Sequence, residues 1–133
     1  MEFADFMHNL AGKLGIPPGT MNDEGLYTIT IKTREERKQT VHAYIFEEEE
    51  AHTIRLFTPI GKREKFSDKQ LISALELNSS LKYGACALYE GDLTLMETIP
   101  FPETTPETAA YITGYIAQMA DSYEQMTLGL DRH

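Results

Sequence analysis

The sequence predicts a protein of the α+β class, with an antiparallel five-stranded sheet in the order α-β-β-β-α-β-β-α. Apolar residues recur at helical spacing in three segments and at alternate positions in five others. The order of these segments never alternates a strand with a crossover helix, as it would in a parallel α/β fold. The chain is 133 residues long, with no visible linker or internal repeat. We therefore expect one domain over residues 1–133.

The first half of the chain is predicted to form a helix and three strands. Five apolar side chains recur at helical spacing at its start: Phe3, Phe6, Met7, Leu10 and Leu14. Gly15 and the prolines that follow it end this helix. Residues 26–31 alternate as a first strand, and residues 41–46 and 53–57 predict a hairpin around the acidic run 47–50.

The predicted hairpin has two apolar faces if Phe46 pairs with Ala51. One face carries aliphatic side chains that suit a core: Val41, Ala43, Ile45, Ile54 and Leu56. The other face carries a second apolar group, joined by the last residue if Ile29 lies opposite Val41: Tyr44, Phe46, Phe57 and Leu26. A single-layer sheet needs only one covered face, so this second group is where a partner would bind.

Two further helices are predicted from their capping signals. Ser67 and Gln70 match a capping box in front of a helix that opens near Asp68. Thr105 followed by Pro106 predicts the start of a last and longest helix. The expected apolar face of that helix runs almost to the end of the chain: Ile112, Tyr115, Ile116, Met119, Tyr123, Met126 and Leu130.

Between these helices the sequence predicts an antiparallel hairpin. Residues 85–89 and 93–96 alternate as strands, and Gly91 lies between them, where a short reversal needs a positive φ. Pro100 and Pro102 are expected to end the second strand, because proline donates no ladder hydrogen bond.

The amino-acid composition indicates which kinds of partner and which cellular compartment to expect. Twenty-one acidic against twelve basic residues give a net charge of -9, which repels phosphate backbones and anionic lipid. We therefore expect neither a nucleic-acid nor a membrane partner. No apolar run approaches the length of a membrane span, and the first residues do not resemble an export signal. The lone Cys86, expected in the core, suits a reducing cytoplasm.

One stretch of the sequence resembles a known family. Residues 71–100 contain a helix ending in Leu77-Asn78, a strand of small residues, a glycine turn, an apolar strand and Pro100. This stretch resembles the second half of the type III secretion chaperone fold, the Tir-chaperone-like family of small acidic proteins that escort secreted effectors. It is also similar to the related YbjN-like family. The predicted order of elements along the whole chain is the same as in the secretion chaperones.

The resemblance implies a homodimer and a protein client. Type III secretion chaperones pair through their second helix and the strand after it, which implies these dimer residues here: Leu75, Leu77, Tyr83, Ala85 and Ala87. They also wrap an effector segment over apolar patches made by the first helix and the neighbouring sheet. Together with the second sheet face, this implies these partner-binding residues: Leu10, Leu14, Leu26, Tyr44, Phe46 and Phe57.

The sequence gives no support for an enzyme, a metal site or a cofactor. It lacks phosphate-loop, dinucleotide, zinc and nucleophile-elbow motifs, and its four histidines are scattered along the chain. The acidic run 47–50 fits a solvated turn, and alternatively steers a basic partner segment. We therefore expect no catalytic residue, and a chaperone that holds an extended partner segment without ATP. The alternatives are a YbjN-like regulatory or sensory module, and a small ligand-binding protein or enzyme whose site follows no motif.

Overall fold

The computed structural model describes residues 1–34, 36–48 and 51–128, and it confirms the α+β class. The helices are α1 (Phe3–Lys13), α2 (Asp68–Leu77) and α3 (Pro106–Thr127), with a 3₁₀ turn at Arg63–Lys65 before α2. The strands are β1 (Thr20–Met21), β2 (Tyr27–Arg34), β3 (Arg37–Glu47), β4 (His52–Lys62), β5 (Ala85–Tyr89) and β6 (Asp92–Phe101). They form one antiparallel sheet in the order β1-β2-β3-β4-β6-β5.

The sheet has six strands where five were expected, because the loop after α1 returns along β2. The added strand β1 pairs only Thr20 with Thr28 and Met21 with Tyr27, too few residues to give an alternating pattern. Gly19 fixes this return: its N–H donates to the Tyr27 hydroxyl at 2.8 Å, and a Cβ there would collide with the Thr28 carbonyl oxygen. Only a glycine lets the two backbones approach this closely.

The register of the β3–β4 hairpin differs from the predicted one by two residues. Phe46 pairs with Thr53, where Ala51 was expected, and Ile45 lies opposite Ile54. Side chains alternate with a period of two along a strand, so a shift of two residues leaves every side chain on its predicted face. The pairing of Ile29 with Val41 is as predicted.

The β5–β6 hairpin turns through Glu90 and Gly91, whose φ angles are 49° and 85°. The strand ends directly before Pro102, as predicted, but Pro100 does not end it, since β6 continues to Phe101 and Pro100 lies opposite Thr53 of β4. Strand β5 pairs with β6 only as far as Met96, so Pro100 lies where β6 has no neighbour on that side. Its missing N–H costs no ladder bond there.

Helices α1 and α3 cover the sheet face that carries the predicted aliphatic core residues. The core joins them to alternate sheet positions, all buried: Phe6, Leu10, Ile116, Val41, Ala43, Ile54, Leu56, Leu95 and Ile99. Met126 was expected on the apolar face of α3 but is 69% exposed. Leu130 and residues 49–50 of the acidic run lie outside the described residues. Among the described residues, no helix is long and apolar enough to span a membrane.

The helix α2 begins with the predicted capping box and ends against the sheet edge. The Ser67 N–H donates to Gln70 Oε1 at 2.8 Å, and the Gln70 N–H donates to Ser67 Oγ at 3.1 Å. The Asn78 side chain accepts from the Cys86 N–H at 2.7 Å and donates to the Cys86 carbonyl at 3.4 Å. Asn78 therefore satisfies part of the open backbone edge of β5.

Candidate protein-binding surface

The sheet face opposite α1 and α3, here called the outer face, carries the aromatic residues of the middle strands. It receives every side chain that alternates with the core positions of β3 and β4. Tyr44 and Phe46 of β3 and Phe57 of β4 lie on it, as the sequence predicts. Tyr89 of β5 joins them from the other side of β6. The outer face thus gathers aromatic side chains from three strands.

Five rings on this face form what we call the aromatic cluster: His42, Tyr44, Phe46, Phe57 and Tyr89. Phe57 lies at the centre, with ring centroids 5.1 Å from His42, 5.9 Å from Tyr44 and 5.1 Å from Tyr89. The Tyr44 ring also lies 4.8 Å from Phe46, at an interplanar angle of 73°. These are edge-to-face and tilted contacts of the kind that stabilise aromatic groups beyond simple burial. The rings surrounding Phe57 bury it, while Tyr44, Phe46 and Tyr89 stay half-buried.

His42 contributes an uncharged ring to this surface. Its Nδ1 lies 2.9 Å from Thr28 Oγ1 on the neighbouring strand. Burial lowers the pKa of His42 below its ordinary value of about 6.5. The imidazole is therefore neutral near pH 7, and it adds to the apolar area of the cluster.

Arg55 places one positive charge on the outer face. Its guanidinium lies 5.1 Å from the centroid of the Phe46 ring, a cation–π contact. Its Nε donates to Thr98 Oγ1 of β6 at 3.2 Å. Arg55 is thus held flat against the sheet by two neighbours.

A groove of about 370 Å³ opens at the edge of the cluster. Its walls include three apolar or aromatic side chains, Leu26, Tyr44 and Tyr89, with Phe57 between them. Glu24 and Glu90 also line it. The groove has room for one large side chain from another molecule.

Two predicted partner-binding residues, Leu10 and Leu14, lie away from this surface; this corrects the expectation for Leu10, and the role of Leu14 stays a prediction. Leu10 is completely buried in the core, on the opposite side of the sheet. Leu14 is half-buried on that same side, where it packs against the core. Both follow the helical period that carries α1 onto the sheet, so their apolar character is used in folding. The other four predicted residues, Leu26, Tyr44, Phe46 and Phe57, share the outer face.

The sequence reasoning missed three members of the surface: His42, Arg55 and Tyr89. Tyr89 was on an alternating strand in the prediction, but its approach to Phe57 depends on β5 and β4 both flanking β6. No local pattern reveals that order. His42 alternates with the core positions of β3, and Arg55 alternates with those of β4. The alternation within the predicted hairpin therefore placed both residues on the outer face.

The residues expected at a dimer interface are distributed over α2, β5 and the loop between them. Leu75 is 62% exposed and Ala85 is exposed, whereas Ala87 is half-buried. Leu77 and Tyr83 pack against the core and are only partly accessible. Two large apolar side chains that were not predicted are also exposed on these elements, Ile72 at 57% and Leu88 at 55%.

The described residues contain no group of three or more His, Cys, Asp or Glu side chains placed to hold a metal ion. Cys86 is buried, and burial raises the pKa of its thiol to about 11. The thiol is therefore protonated, and it behaves as a small core residue.

Three solved structures resemble this one over most of its length. They are a chain of the HopA1–SchA chaperone–effector complex, the Yersinia pestis type III secretion chaperone SycH in complex with a stable fragment of YscM2, and a chain of the ExsC–ExsE complex. The TM-scores are 0.67, 0.64 and 0.69, and the sequence identities 11%, 19% and 15%. The matches cover 91%, 92% and 96% of this chain, and 91%, 99% and 97% of the other chains. At these identities the likeness establishes a shared fold.

No curated protein sequence matches this one significantly. A family model does match: that of the Tir chaperone protein (CesT) family, over residues 5–121. This range reaches from α1 to the last third of α3, and includes all the strands and the whole outer face. The chain belongs to the Tir chaperone protein (CesT) family.

Proposed function

We propose that this protein is a cytoplasmic secretion chaperone that holds an extended segment of a client effector on its outer face, without ATP. Family membership supports the class of function. Two of the similar structures are described as a chaperone–effector complex and as a secretion chaperone with a bound protein fragment, which supports a protein client. Under this proposal the chain acts by binding, and it catalyses no reaction.

The observation that carries the proposal is the aromatic cluster on the sheet face opposite α1 and α3. Tyr44 and Phe46 are only half-buried although β3 lies inside the sheet, and Tyr89 of the edge strand β5 is half-buried beside them. An apolar surface on a central sheet face is typical of a place where another chain binds. A segment in extended conformation would insert alternate side chains between these rings.

The test requires the client. Copurification from the native host, followed by mass spectrometry, identifies candidate clients, and the affinity of a purified client segment is then measured in buffer without nucleotide. Phe46→Asp should weaken that affinity at least tenfold, because burying one large apolar side chain is worth about 1.5–3 kcal/mol. Its circular dichroism should stay close to that of the unchanged protein, since Phe46 is half-buried on the outer face.

A matched control variant distinguishes damage to the binding site from a general effect of the added negative charge. Thr30→Asp adds the same charge at an exposed position of β2, opposite Thr40 and outside the aromatic cluster. It should leave the affinity within about twofold of the original value. Equal affinity of the Phe46→Asp variant for a confirmed client would exclude the outer face as the site.

We further propose that the protein is a homodimer that pairs through α2 and β5. Leu75, Ile72 and Leu88 support this, because they are large apolar side chains that are more than half exposed. Sedimentation at tens of micromolar should give twice the 15.1 kDa chain mass. Leu75→Glu should shift the protein to the monomer, and a monomer before any substitution would refute the proposal.

A further inference from the structure

We propose that the groove beside Tyr89 takes a lysine or arginine side chain of the bound segment. This inference rests on the proposed function and names the chemistry that one part of the outer face selects. The groove combines aromatic walls with two carboxylates, and no other basic or apolar group of the described chain fills it.

The groove walls can contact both the methylene groups and the charged group of a lysine or arginine side chain. Tyr44 and Tyr89 present rings, and Leu26 presents an aliphatic surface, so the methylenes of a lysine or arginine gain burial against all three. A guanidinium also stacks on aromatic rings. The chain shows this on the same face, where Arg55 lies 5.1 Å from the Phe46 ring centroid.

Glu24 and Glu90 supply the charge that the occupant must balance. Both are exposed, and in the described part of the chain neither forms an ion pair. Glu24 is held in a tight turn, because Asn22 Oδ1 accepts from the N–H groups of Glu24 and Leu26, both at 2.9 Å. Glu90 occupies the first position of the two-residue β5–β6 turn, with φ at 49°. Two unpaired carboxylates on ordered turns favour a cation between them.

The charges around the groove also favour a basic occupant. Two basic groups lie on the neighbouring part of the face: Arg55, whose guanidinium is engaged by Phe46 and Thr98, and Lys62, which lies opposite Asp92. Neither forms an ion pair with Glu24 or Glu90 among the described residues. The protein as a whole carries a net charge of -9, which draws a basic segment and repels an acidic one. A purely apolar segment would cover the rings but would bring Glu24 and Glu90 no partner, so a basic residue next to apolar ones fits best.

A random peptide library displayed on phage supplies the probe, since the client is unidentified. We expect the selected peptides to carry lysine or arginine beside apolar residues. One such peptide is synthesised with arginine and with citrulline, which keeps the shape and removes the charge. The double variant Glu24→Gln, Glu90→Gln should bind the arginine peptide about fivefold more weakly than the unchanged protein does, since both carboxylates are exposed. Both proteins should bind the citrulline peptide equally.

Matched variants separate the local carboxylates from the overall charge. Glu64→Gln with Glu103→Gln makes the same change in net charge at two exposed positions outside the groove and outside α2 and β5, and it should leave the arginine peptide's affinity nearly unchanged. An equal loss in both double variants would overturn the inference. So would equal binding of the two peptides by the unchanged protein, even if Phe46→Asp still weakened both. If no selected peptide depends on Phe46, the proposed function itself fails.

Discussion

The ion pair between Arg37 and Asp121 should be the most sensitive polar contact of the fold. It joins the start of β3 to α3: Arg37 Nε lies 2.7 Å from Asp121 Oδ1, and an Arg37 terminal nitrogen lies 3.1 Å from Glu124 Oε1. The Asp121 side chain is completely buried, and its Oδ2 has no hydrogen-bond donor among the described residues. In the part of the chain that the structure describes, Arg34 is the other cation in reach, with Nε at 3.7 Å from that oxygen.

Removing Arg37 alone should therefore cost more than the loss of one contact. Among the residues described, Arg37→Met leaves the buried carboxylate with only the more exposed Arg34 beside it, and breaking a buried pair in this way costs about 3 kcal/mol. In a chain of this length that lowers the unfolding temperature by roughly 10 °C. Replacing both partners, with Arg37→Met and Asp121→Leu, removes the unpaired charge as well. We expect the double variant to lie within about 1 kcal/mol of the original protein.

A double-mutant cycle measures the coupling between the two side chains. It needs urea unfolding of four proteins: the original, Arg37→Met, Asp121→Leu and the double variant. A coupling energy of about 2 kcal/mol or more is expected for side chains in direct contact. Lys13→Met provides the control, because the pair of Lys13 with Glu107 is exposed on both sides and should contribute little. Additive single effects, or an Arg37→Met variant no less stable than Lys13→Met, would refute the reasoning about the buried carboxylate.

Three further substitutions test the turns and the outer face. Gly91→Val should lower the free energy of unfolding by about 1 kcal/mol or more, because φ at this position is 85°, and an unchanged unfolding midpoint would show that the turn tolerates a β-branched residue. Gly19→Ala should be more destabilising, since the new Cβ meets the Thr28 carbonyl; a smaller loss than for Gly91→Val would contradict this. The stability contributed by neutral His42 is fully present above pH 6.5, the ordinary imidazole pKa. It is lost as the pH falls below that value, because burial lowers the pKa of His42 in the folded state. His42→Gln should reduce this dependence in urea unfolding, and an unchanged dependence in that variant would argue against the role of His42.

The alternation of apolar residues predicted the two faces of the sheet well, because the alternation depends on which face a side chain occupies and not on the exact strand pairing. The hairpin register was wrong by two residues, yet Tyr44, Phe46 and Phe57 kept their predicted face, since side chains alternate with a period of two. The capping box of α2 was likewise readable from Ser67 and Gln70 alone. Each of these features is fixed by residues close together in sequence.

The candidate site was only partly predictable, because its remaining members meet through long-range pairing. Tyr89 reaches Phe57 across β6, an arrangement set by the strand order of the whole sheet. Leu10 shows the opposite error: the helical period that predicted α1 is itself the evidence that Leu10 faces the core. An apolar residue that defines the buried stripe of a helix is a poor candidate for an open binding surface.

The proposed client surface and the proposed dimer interface meet on the outer face. A test of one of them must therefore also measure the other. Ala85 pairs with Met96 and Met96 pairs with Phe57, so Ala85 lies in the same cross-strand row as the centre of the aromatic cluster. A second copy that contacts Ala85 therefore lies beside the client surface and either leaves the cluster open or covers it. Sedimentation of the Phe46→Asp variant separates these arrangements. If the variant remains a dimer and loses client affinity, the cluster belongs to the client; if it becomes a monomer, the second copy occupies the cluster and the client must bind elsewhere.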